Sequence, residues 1–285
     1  MIGSEFASVA FGLASAVVWG AGDFCGGLAA KRANVYGVVI AGDAIGGLLF
    51  VGLALAFGET LPPLADLIWA GAAGVCGAAG LLALYRALAS GRMSVASPAA
   101  AVLSAALPAV FGTFVDGLPG GWQVGGFGLA LLGVWLVSQD LSGLRDLTGL
   151  KWKELGLPVA AGLGFGLFFI LMDRVSAAAV FWPLVSARAV AVIVLAAFAL
   201  GTRQLGWPAR EYWPLTTLVG VFDAGGNAFF LLAAQAGRLD VAAVLSSLYP
   251  ASTVWLAWLI LKERITRWQL VGVAAALAAI VLITV

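Results

Sequence analysis

The sequence predicts an all-α fold, a polytopic membrane protein whose ten transmembrane helices form two inverted five-helix repeats. Composition gives the first reason: 62% of the 285 residues are hydrophobic, 10% are charged, and the mean hydropathy is +1.06. A soluble domain carries roughly 25% charged residues. The apolar runs give the second reason, because they are long and lack strict alternation, which in hydrocarbon favours helices over a closed barrel. An internal repeat gives the third.

Charged residues, prolines and glycines separate the apolar runs and so place the helices in order along the chain. A transmembrane helix uses about 20 mostly apolar residues, which leaves short connections and no room for a separate soluble domain. The ten predicted helices lie near residues 6–29, 36–57, 64–89, 93–115, 121–139, 154–175, 180–201, 211–235, 240–261 and 267–285.

Four short motifs of the first half return in the same order in the second half. FGLASAVVWGAGDF matches AGLGFGLFFILMDR, which places Asp23 opposite Asp173, and the other pairs are GRMSVA with GRLDVA, LSAALP with LSSLYP, and WQVGG with WQLVG. We therefore expect one compact membrane domain built from a first repeat, residues 1–145, and a second repeat, residues 146–285. Because each repeat has an odd number of helices, the second must enter the membrane in the opposite orientation. Inverted repeats commonly enclose a binding site near the midplane.

The connections between helices carry an asymmetric charge that predicts the topology. The connections on one side of the membrane have twelve basic residues, and those on the other side have two, Arg174 and Arg238. The richer side is cytoplasmic under the positive-inside rule, so we expect a multi-pass inner-membrane protein with both termini outside the cytoplasm. The twelve are Lys31, Arg32, Arg86, Arg92, Arg145, Lys151, Lys153, Arg203, Arg210, Lys262, Arg264 and Arg267.

Several functional classes lack the residues that they need. The sequence has no histidine and two cysteines, so it offers no histidine-based catalytic triad, no H-E-x-x-H motif and no structural zinc site. A net charge of +1 without a long basic run gives no indication of a nucleic-acid partner. We expect no enzymatic activity, no metal and no cofactor. The expected partners are the lipid bilayer and a small-molecule substrate, and the protein is expected to be a monomer.

Glycine and proline positions predict how the helices pack and bend. Glycines spaced four residues apart let helix backbones approach closely in lipid. Pro108 and Pro250, which the repeat equates, lie inside predicted helices, where proline removes a backbone donor and can kink the helix; we expect both to act as gating elements. The glycine pairs are Gly22/Gly26, Gly42/Gly46, Gly121/Gly125 and Gly162/Gly166.

Three charged side chains and one amide lie deep in predicted helices. A charge at the bilayer centre costs on the order of 2.5–3.5 kcal/mol on insertion scales, so such residues usually face a partner or a water-filled cavity. Asp43 and Arg188 occupy related positions in the second helix of each repeat, with opposite charge. Asp223 lies in the eighth helix, and Asn227 follows one turn later on the same face. All four are candidate substrate-binding residues.

Three interpretations of these charges remain open. In the first, Arg188 pairs with Asp43 or Asp223 and only locks helices together. In the second, a cavity with a cationic and an anionic end binds a zwitterion, whose carboxylate meets Arg188 and whose ammonium meets an aspartate. In the third, an aspartate in apolar surroundings takes up a proton that is coupled to transport.

Aromatic side chains inside the predicted helices are candidates for a cavity wall. Trp19 shares a helix face with Asp23, while Tyr85 and Tyr249 lie where a buried hydroxyl needs a partner. We expect Trp19, Tyr85, Phe168 and Tyr249 to line the cavity. The sixth helix carries a stripe at helical spacing that consists of Phe165, Phe168, Phe169 and Met172.

The motifs VVWGAGDF in the first helix and LVSARAVAV in the seventh, together with the last helix pair, resemble the EamA-type family of the drug/metabolite transporter superfamily. The most specific part lies between residues 245 and 281, where a proline-containing helix, a Lys262-Glu263-Arg264 turn and a glycine-bearing final helix follow in order. The resemblance implies ten helices from a duplicated unit and the export or exchange of small organic metabolites through a central cavity. Two features depart from the family: the first half has VDGLPGGW in place of the Glu-Arg turn, and Asp43 stands where members often show arginine.

These observations predict a secondary transporter that exports or exchanges small organic metabolites, above all amino acids, including aromatic ones, by alternating access. Proton-coupled efflux of cationic or lipophilic drugs is one alternative. A structural membrane subunit without transport activity is another, and it predicts a tightly packed bundle with Arg188 paired and no central cavity. An ion channel is disfavoured, because the sequence shows no ring of repeated carboxylates and no carbonyl filter motif.

Overall fold

The computed structural model describes residues 2–89, 93–115, 117–137, 152–262 and 266–284, and within these ranges the regular secondary structure is entirely helical. The first half contains α1 (Ile2–Ala30), α2 (Val35–Ala56), α3 (Leu64–Ala89), α4 (Met93–Val115) and α5 (Gly121–Val137). The second half contains α6 (Trp152–Asp173), α7 (Phe181–Gly201), a 3-10 turn (Arg210–Tyr212), α8 (Trp213–Ala236), α9 (Leu239–Ser246), α10 (Tyr249–Leu261) and α11 (Arg267–Thr284).

Length and apolar composition fit these helices to a membrane. Seven helical segments of the described chain are long and apolar enough to cross one: α1, α2, α3, α6, α7, α8 and the consecutive pair α9 and α10. Large apolar side chains also lie on the outside of the bundle, such as Phe114 at 83% exposure and Leu118 at 88%. Contiguous exposed apolar surface on this scale suits lipid rather than water. The predicted class, an all-α polytopic membrane protein, is confirmed.

The prediction of one continuous helix over residues 240–261 is wrong, because the structure divides this segment into α9 and α10. Pro250 has no backbone N–H to donate to the carbonyl of Ser246, and its ring opposes a continuous helix. The chain turns at Ser247 and Leu248, where the Ser247 hydroxyl donates to the Val244 carbonyl at 2.7 Å. In α4, Pro108 lies within an unbroken helix. The two prolines that the repeat equates therefore have different local effects.

Helices of the two halves pack in matching pairs. The contact of α1 with α8 matches the contact of α6 with α3. The contact of α2 with α8 likewise matches the contact of α7 with α3. The contact of α4 with α6 matches the contact of the α9–α10 pair with α1. Three helices of the first half also contact their own counterparts in the second half; these pairs are α2 with α7, α4 with α9, and α5 with α11. The halves interdigitate as a result, and the largest buried cluster, which includes Phe169, Met172 and Phe230, lies between them.

Some sequence features lie outside the described residues. These are the boundary between the predicted repeats at residues 145 and 146, Glu263 of the Lys-Glu-Arg turn, and the loop cations Arg92, Arg145, Lys151 and Arg264.

Candidate functional site

A cavity lies between the two halves, at the level of the helix interiors. Its volume is about 770 Å³, which includes the part that is continuous with solvent. Apolar and small residues make up most of its lining, and the polar groups are few. Its lining residues are Trp19, Asp23, Asp43, Gly74, Gly77, Ala78, Leu81, Leu84, Ser104, Phe165, Phe168, Phe169, Leu184, Ala187, Arg188, Ala191, Asp223, Asn227 and Tyr249.

Arg188 bridges two aspartates at this cavity. Its Nη1 donates to Asp43 Oδ1 and its Nη2 donates to Asp223 Oδ2. The side chains of Asp43 and Arg188 are 3% and 12% exposed, whereas that of Asp223 is 27% exposed. Both terminal nitrogens of the guanidinium are therefore engaged, and the first interpretation of these charges, an internal ion pair, describes the geometry.

Small residues on the neighbouring helices make room for this ion cluster. A methyl group at Gly47 of α2 would lie 3.3 Å from Arg188 Cβ, and one at Gly74 of α3 would overlap the Ala187 backbone. On the other side, Gly220 of α8 lies against the Gly42 carbonyl in the same way. The close crossings of α3 with α7 and of α2 with α8 therefore hold Arg188 and Asp43 next to each other.

Asp23 is a third carboxyl group at the cavity. It lies on α1 one turn after Trp19, and it forms no hydrogen bond and no ion pair with any residue that the structure describes. Tyr85 of α3 approaches the same helix, since a methyl group at Gly26 would collide with the Tyr85 hydroxyl. Asp23 and Tyr85 both line a smaller adjoining cavity of about 320 Å³, which also includes Trp19, Asp43 and Asp223.

Asn227 lines the cavity, and its side chain is hydrogen-bonded to the backbone of its own helix. Its Nδ2 donates to the Asp223 carbonyl one turn earlier at 2.7 Å, and the residue is 5% exposed. This contact holds the side chain along α8, beside the Asp223 carboxylate.

Aromatic rings form one wall of the cavity. Trp19 stacks on Phe169 with ring centroids 5.6 Å apart, and Phe168 meets Phe169 edge to face at 5.8 Å. Phe230, which is fully buried, supports this wall from behind at 4.4 Å from Phe169. Of the predicted stripe on α6, Phe165, Phe168 and Phe169 line the cavity, and Met172 is buried in the core instead.

The structure brings most of the predicted site residues together. Tyr85 lines the adjoining cavity rather than the main one, and Asp23 is absent from the residues that the sequence predicts for the site. The spacing of four residues between Trp19 and Asp23 on one face of α1 is the signal that points to Asp23. The residues at the main cavity are Trp19, Asp43, Phe168, Arg188, Asp223, Asn227 and Tyr249.

The cavity combines an excess of carboxyl groups with an aromatic surface. Among the described residues that line it, Arg188 is the single basic side chain and faces three aspartates. Two of these aspartates share its charge, so the third is available to a cationic group from outside the protein. This arrangement can bind a small organic molecule with a positive end and an apolar body.

Polar contacts join the two halves at one end of the bundle, where α2 leads to α3 and α6 leads to α7. The Glu59 carboxylate accepts from the backbone N–H groups of Val180, Phe181 and Trp182, at 2.6, 2.9 and 2.8 Å. The Ser176 hydroxyl donates to Asp66 Oδ2 at 2.6 Å. We call Glu59, Asp66, Ser176 and the N-terminus of α7 the acidic clamp.

Longer hydrogen bonds join the halves at the opposite end. Asn34 Nδ2 donates to the Gln204 carbonyl at 3.1 Å, and Arg86 Nη2 donates to Gln204 Oε1 at 3.2 Å. Gly206 packs directly on Asn34. We call Asn34, Arg86, Gln204 and Gly206 the amide clamp, after the amide groups at its centre.

Comparison with known proteins relates this architecture to a family. The model of the EamA-like transporter family matches residues 152–285. A solved structure, described only as a crystal structure of a protein, has a TM-score of 0.80 over 96% of this chain and 95% of that chain, at 14% sequence identity. At that identity the likeness shows a shared fold and nothing further. The search of curated proteins finds no match.

The family match covers the half of the chain that contains Arg188, Asp223, Asn227 and Tyr249, and it includes the region between residues 245 and 281 on which the resemblance depends most. It points to a membrane transporter rather than an enzyme. The EamA-like transporter family model matches residues 152–285, a little under half of the chain, and this match confirms the resemblance found in the sequence.

Proposed function

We propose that this protein is a secondary transporter that exports or exchanges small organic metabolites, above all amino acids, across the inner membrane by alternating access. The observation that carries the proposal is the cavity between the two halves, where an ion cluster lies beside an aromatic wall. Pockets with a mainly apolar lining and a few convergent polar groups are typical ligand sites.

Alternating access requires two halves that can rock about a shared site, and we propose ten spans in two inverted repeats, residues 1–145 and 146–285. Two observations support this. The helix contacts between the halves occur in matching pairs, and Gly74 approaches Ala187 as Gly220 approaches Gly42, at positions that the repeat equates. The break between α9 and α10 fits a transporter as well, because discontinuous helices often adjoin midplane sites.

Uptake of labelled amino acids into proteoliposomes tests the proposal. We expect saturable flux of at least one amino acid, and flux no faster than that of empty vesicles for all of them would contradict it. A cavity-filling variant, Gly77→Leu, should slow this flux at least tenfold, since Gly77 lines the cavity beside Phe168, whose ring an added Cβ would meet at 3.1 Å. Gly52→Leu is the matched control, because a Cβ added at Gly52 meets no described atom within 4 Å.

Proton-coupled efflux of cationic or lipophilic drugs is the second candidate, and the excess of carboxyl groups at the cavity favours it. It predicts that a proton gradient drives efflux and that Asp43→Asn or Asp223→Asn abolishes the coupling. The cavity disfavours a purely structural subunit, for which a closed and fully packed interior is expected, although Arg188 is paired as that alternative predicts.

A further inference from the structure

We propose that Asp23 and Tyr85 form the subsite that binds the ammonium group of the substrate, so that the transported class includes aromatic primary amines that have no carboxylate. This inference rests on the proposed transport function, because it concerns the same cavity. It assigns the charged contact to Asp23 on α1 rather than to Arg188 or Asp43.

The ion cluster leaves Arg188 poorly suited to a substrate carboxylate. Both of its terminal nitrogens already donate to Asp43 and Asp223, and its side chain is 12% exposed. A substrate carboxylate would have to displace one of these aspartates and leave that aspartate without its partner in apolar surroundings, which is costly. The cavity therefore provides no ready receptor for an anionic group.

Asp23 has the opposite character. No described residue donates a hydrogen bond to its carboxylate or pairs with it, although the carboxylate faces the cavity. An isolated buried charge is stable only with a counter-ion or a neutralising proton. A substrate ammonium would supply the counter-ion, with charge-assisted hydrogen bonds that are about twice as strong as neutral ones.

Tyr85 gives independent support for a ligand at this point. Its side chain is 2% exposed, and its hydroxyl forms no hydrogen bond with any described residue, although buried tyrosine hydroxyls usually have a partner. The hydroxyl points to α1 at Gly26, one turn beyond Asp23, where the missing side chain leaves it room. An ammonium beside Asp23 would offer this oxygen a donor.

The aromatic wall begins one helical turn away. Trp19 precedes Asp23 by four residues and lines both cavities, with Phe169 stacked on it at 5.6 Å. A cation next to an indole face gains a further attraction, and an aromatic body attached to the ammonium would lie against Phe168 and Phe169. An arylalkylamine fits this order of groups.

Three probes with one aromatic body and different charges test the subsite: 2-phenylethylamine, phenylalanine and 3-phenylpropanoate. Calorimetric titration of the purified full chain in detergent should show binding of the first two and none of the third. Asp23→Asn should raise the dissociation constant of both ammonium probes at least tenfold, and Tyr85→Phe should raise it about threefold or more. Glu211→Gln, at an exposed carboxylate in the 3-10 turn before α8, is the control and should leave both constants unchanged.

The outcomes separate the subsite from the proposed function. Three results would each overturn the subsite, whatever the flux assay shows. The first is a failure of wild type to bind 2-phenylethylamine, and the second is tighter binding of 3-phenylpropanoate than of 2-phenylethylamine by wild type. The third is unchanged binding of 2-phenylethylamine by folded Asp23→Asn. If Asp23→Asn does not fold, unchanged binding by Tyr85→Phe overturns it instead. Asp23-dependent binding without any flux in proteoliposomes would support the subsite and reject transport.

Discussion

At the scale of single residues, the central feature is one arginine between two aspartates inside an apolar bundle. Placing charges in hydrocarbon is expensive, and the cluster offsets this because each terminal nitrogen of Arg188 has its own carboxylate. A guanidinium suits this task, since its planar fork presents donors in two directions, whereas an ammonium is a point charge. The cluster therefore joins α2, α7 and α8 through Arg188, which both carboxylates share.

Removing Arg188 should destabilise the protein strongly. Arg188→Ala leaves Asp43 buried without a counter-ion, and breaking a buried pair in this way costs about 3–5 kcal/mol. Arg188→Lys should recover part of that loss. Thermal unfolding in detergent measures both, and an unchanged melting temperature for Arg188→Ala would show that Asp43 finds another partner.

A neutral version of the cluster separates its structural role from its functional role. The triple variant Arg188→Gln, Asp43→Asn and Asp223→Asn removes all three charges together, and replacing a whole buried ion cluster is often close to neutral for stability. We expect a folded protein with at least a tenfold loss of flux. Wild-type flux by the folded triple variant would show that the cluster serves only to join the helices.

The sequence identifies the individual charges but leaves open whether Arg188 pairs with Asp43, with Asp223 or with a substrate. Burial cost alone marks Asp43, Arg188 and Asp223 as residues that must face a partner or a cavity. The rotation of each helix decides which of them meet, and Arg188 meets a residue 145 positions away. Tyr85 shows the same limit, since its helix and depth were predictable but the adjoining cavity was not.

At the scale of helices, close crossings depend on glycines that face a neighbouring backbone. Three of the predicted glycine pairs have one or both members against the backbone of another helix: Gly22/Gly26, Gly42/Gly46 and Gly162/Gly166. Gly26 and Gly166 instead make room for the side chains of Tyr85 and Leu107. The prediction of close packing at Gly121/Gly125 was wrong, because a Cβ added at either residue meets no atom of the described residues within 4 Å. Spacing identifies a glycine stripe, but only the arrangement of the bundle determines whether the stripe faces a helix or open space.

The crossing of α3 with α7 should be sensitive to a single methyl group. In Gly74→Ala the new Cβ would overlap the backbone carbonyl of Ala187, which cannot turn aside, so the helices must separate next to Arg188. Overpacking of this kind costs about 1–3 kcal/mol, and Gly220→Ala, at the related crossing of α2 with α8, should act in the same direction. Gly52→Ala is the matched control and should change stability by no more than about 0.5 kcal/mol. Equal melting temperatures for Gly74→Ala and Gly52→Ala would contradict this account.

The start of α7 depends on a carboxylate from another part of the chain. The first N–H groups of a helix have no partner within it, and Val180, at the N-cap, forms no side-chain cap of its own. Glu59 satisfies three of these donors. This contact is invisible in the sequence because it joins residues about 120 positions apart.

Glu59→Ala should loosen the first turn of α7. Loss of a capping carboxylate costs about 0.5–2 kcal/mol, and the amides of Phe181 and Trp182 should exchange with solvent faster. Glu59→Gln keeps one oxygen acceptor and should fall between Glu59→Ala and wild type. Hydrogen exchange measured by mass spectrometry on the peptide that spans this turn tests the effect, with Glu5→Ala, an exposed carboxylate on α1, as the control. Protection equal to wild type in Glu59→Ala would mean that water or another group replaces the carboxylate.

At the scale of the whole molecule, the two clamps lie at opposite ends of a bundle whose halves interdigitate. The acidic clamp has four hydrogen bonds to carboxylates, at 2.6–2.9 Å, while the amide clamp has one hydrogen bond between uncharged groups at 3.1 Å and one from the Arg86 guanidinium at 3.2 Å. Hydrogen bonds to ionised groups are the stronger kind, and the acidic end has more of them, so it should be harder to open. If transport proceeds by rocking of the two halves, each clamp must open once in every cycle.

Covalent closure of either clamp should therefore stop transport. The double variants Asp66→Cys with Ser176→Cys, and Asn34→Cys with Gly206→Cys, place a thiol pair at each end in a background of Cys25→Ser and Cys76→Ser. A short bis-thiosulfonate reagent should join either pair and abolish flux in proteoliposomes, because a fixed end prevents the site from changing sides. Each variant should transport before the reagent is added and again after reduction.

The two ends together distinguish alternating access from a permanently open path. A channel would keep conducting after a cross-link at one clamp that leaves its pore open. A structural subunit would show no flux before or after cross-linking. Alternating access predicts that each bridge alone is sufficient, even though the clamps differ in strength. Flux that continues at the wild-type rate after complete cross-linking at either end would refute a rocking mechanism, whichever residues bind the substrate.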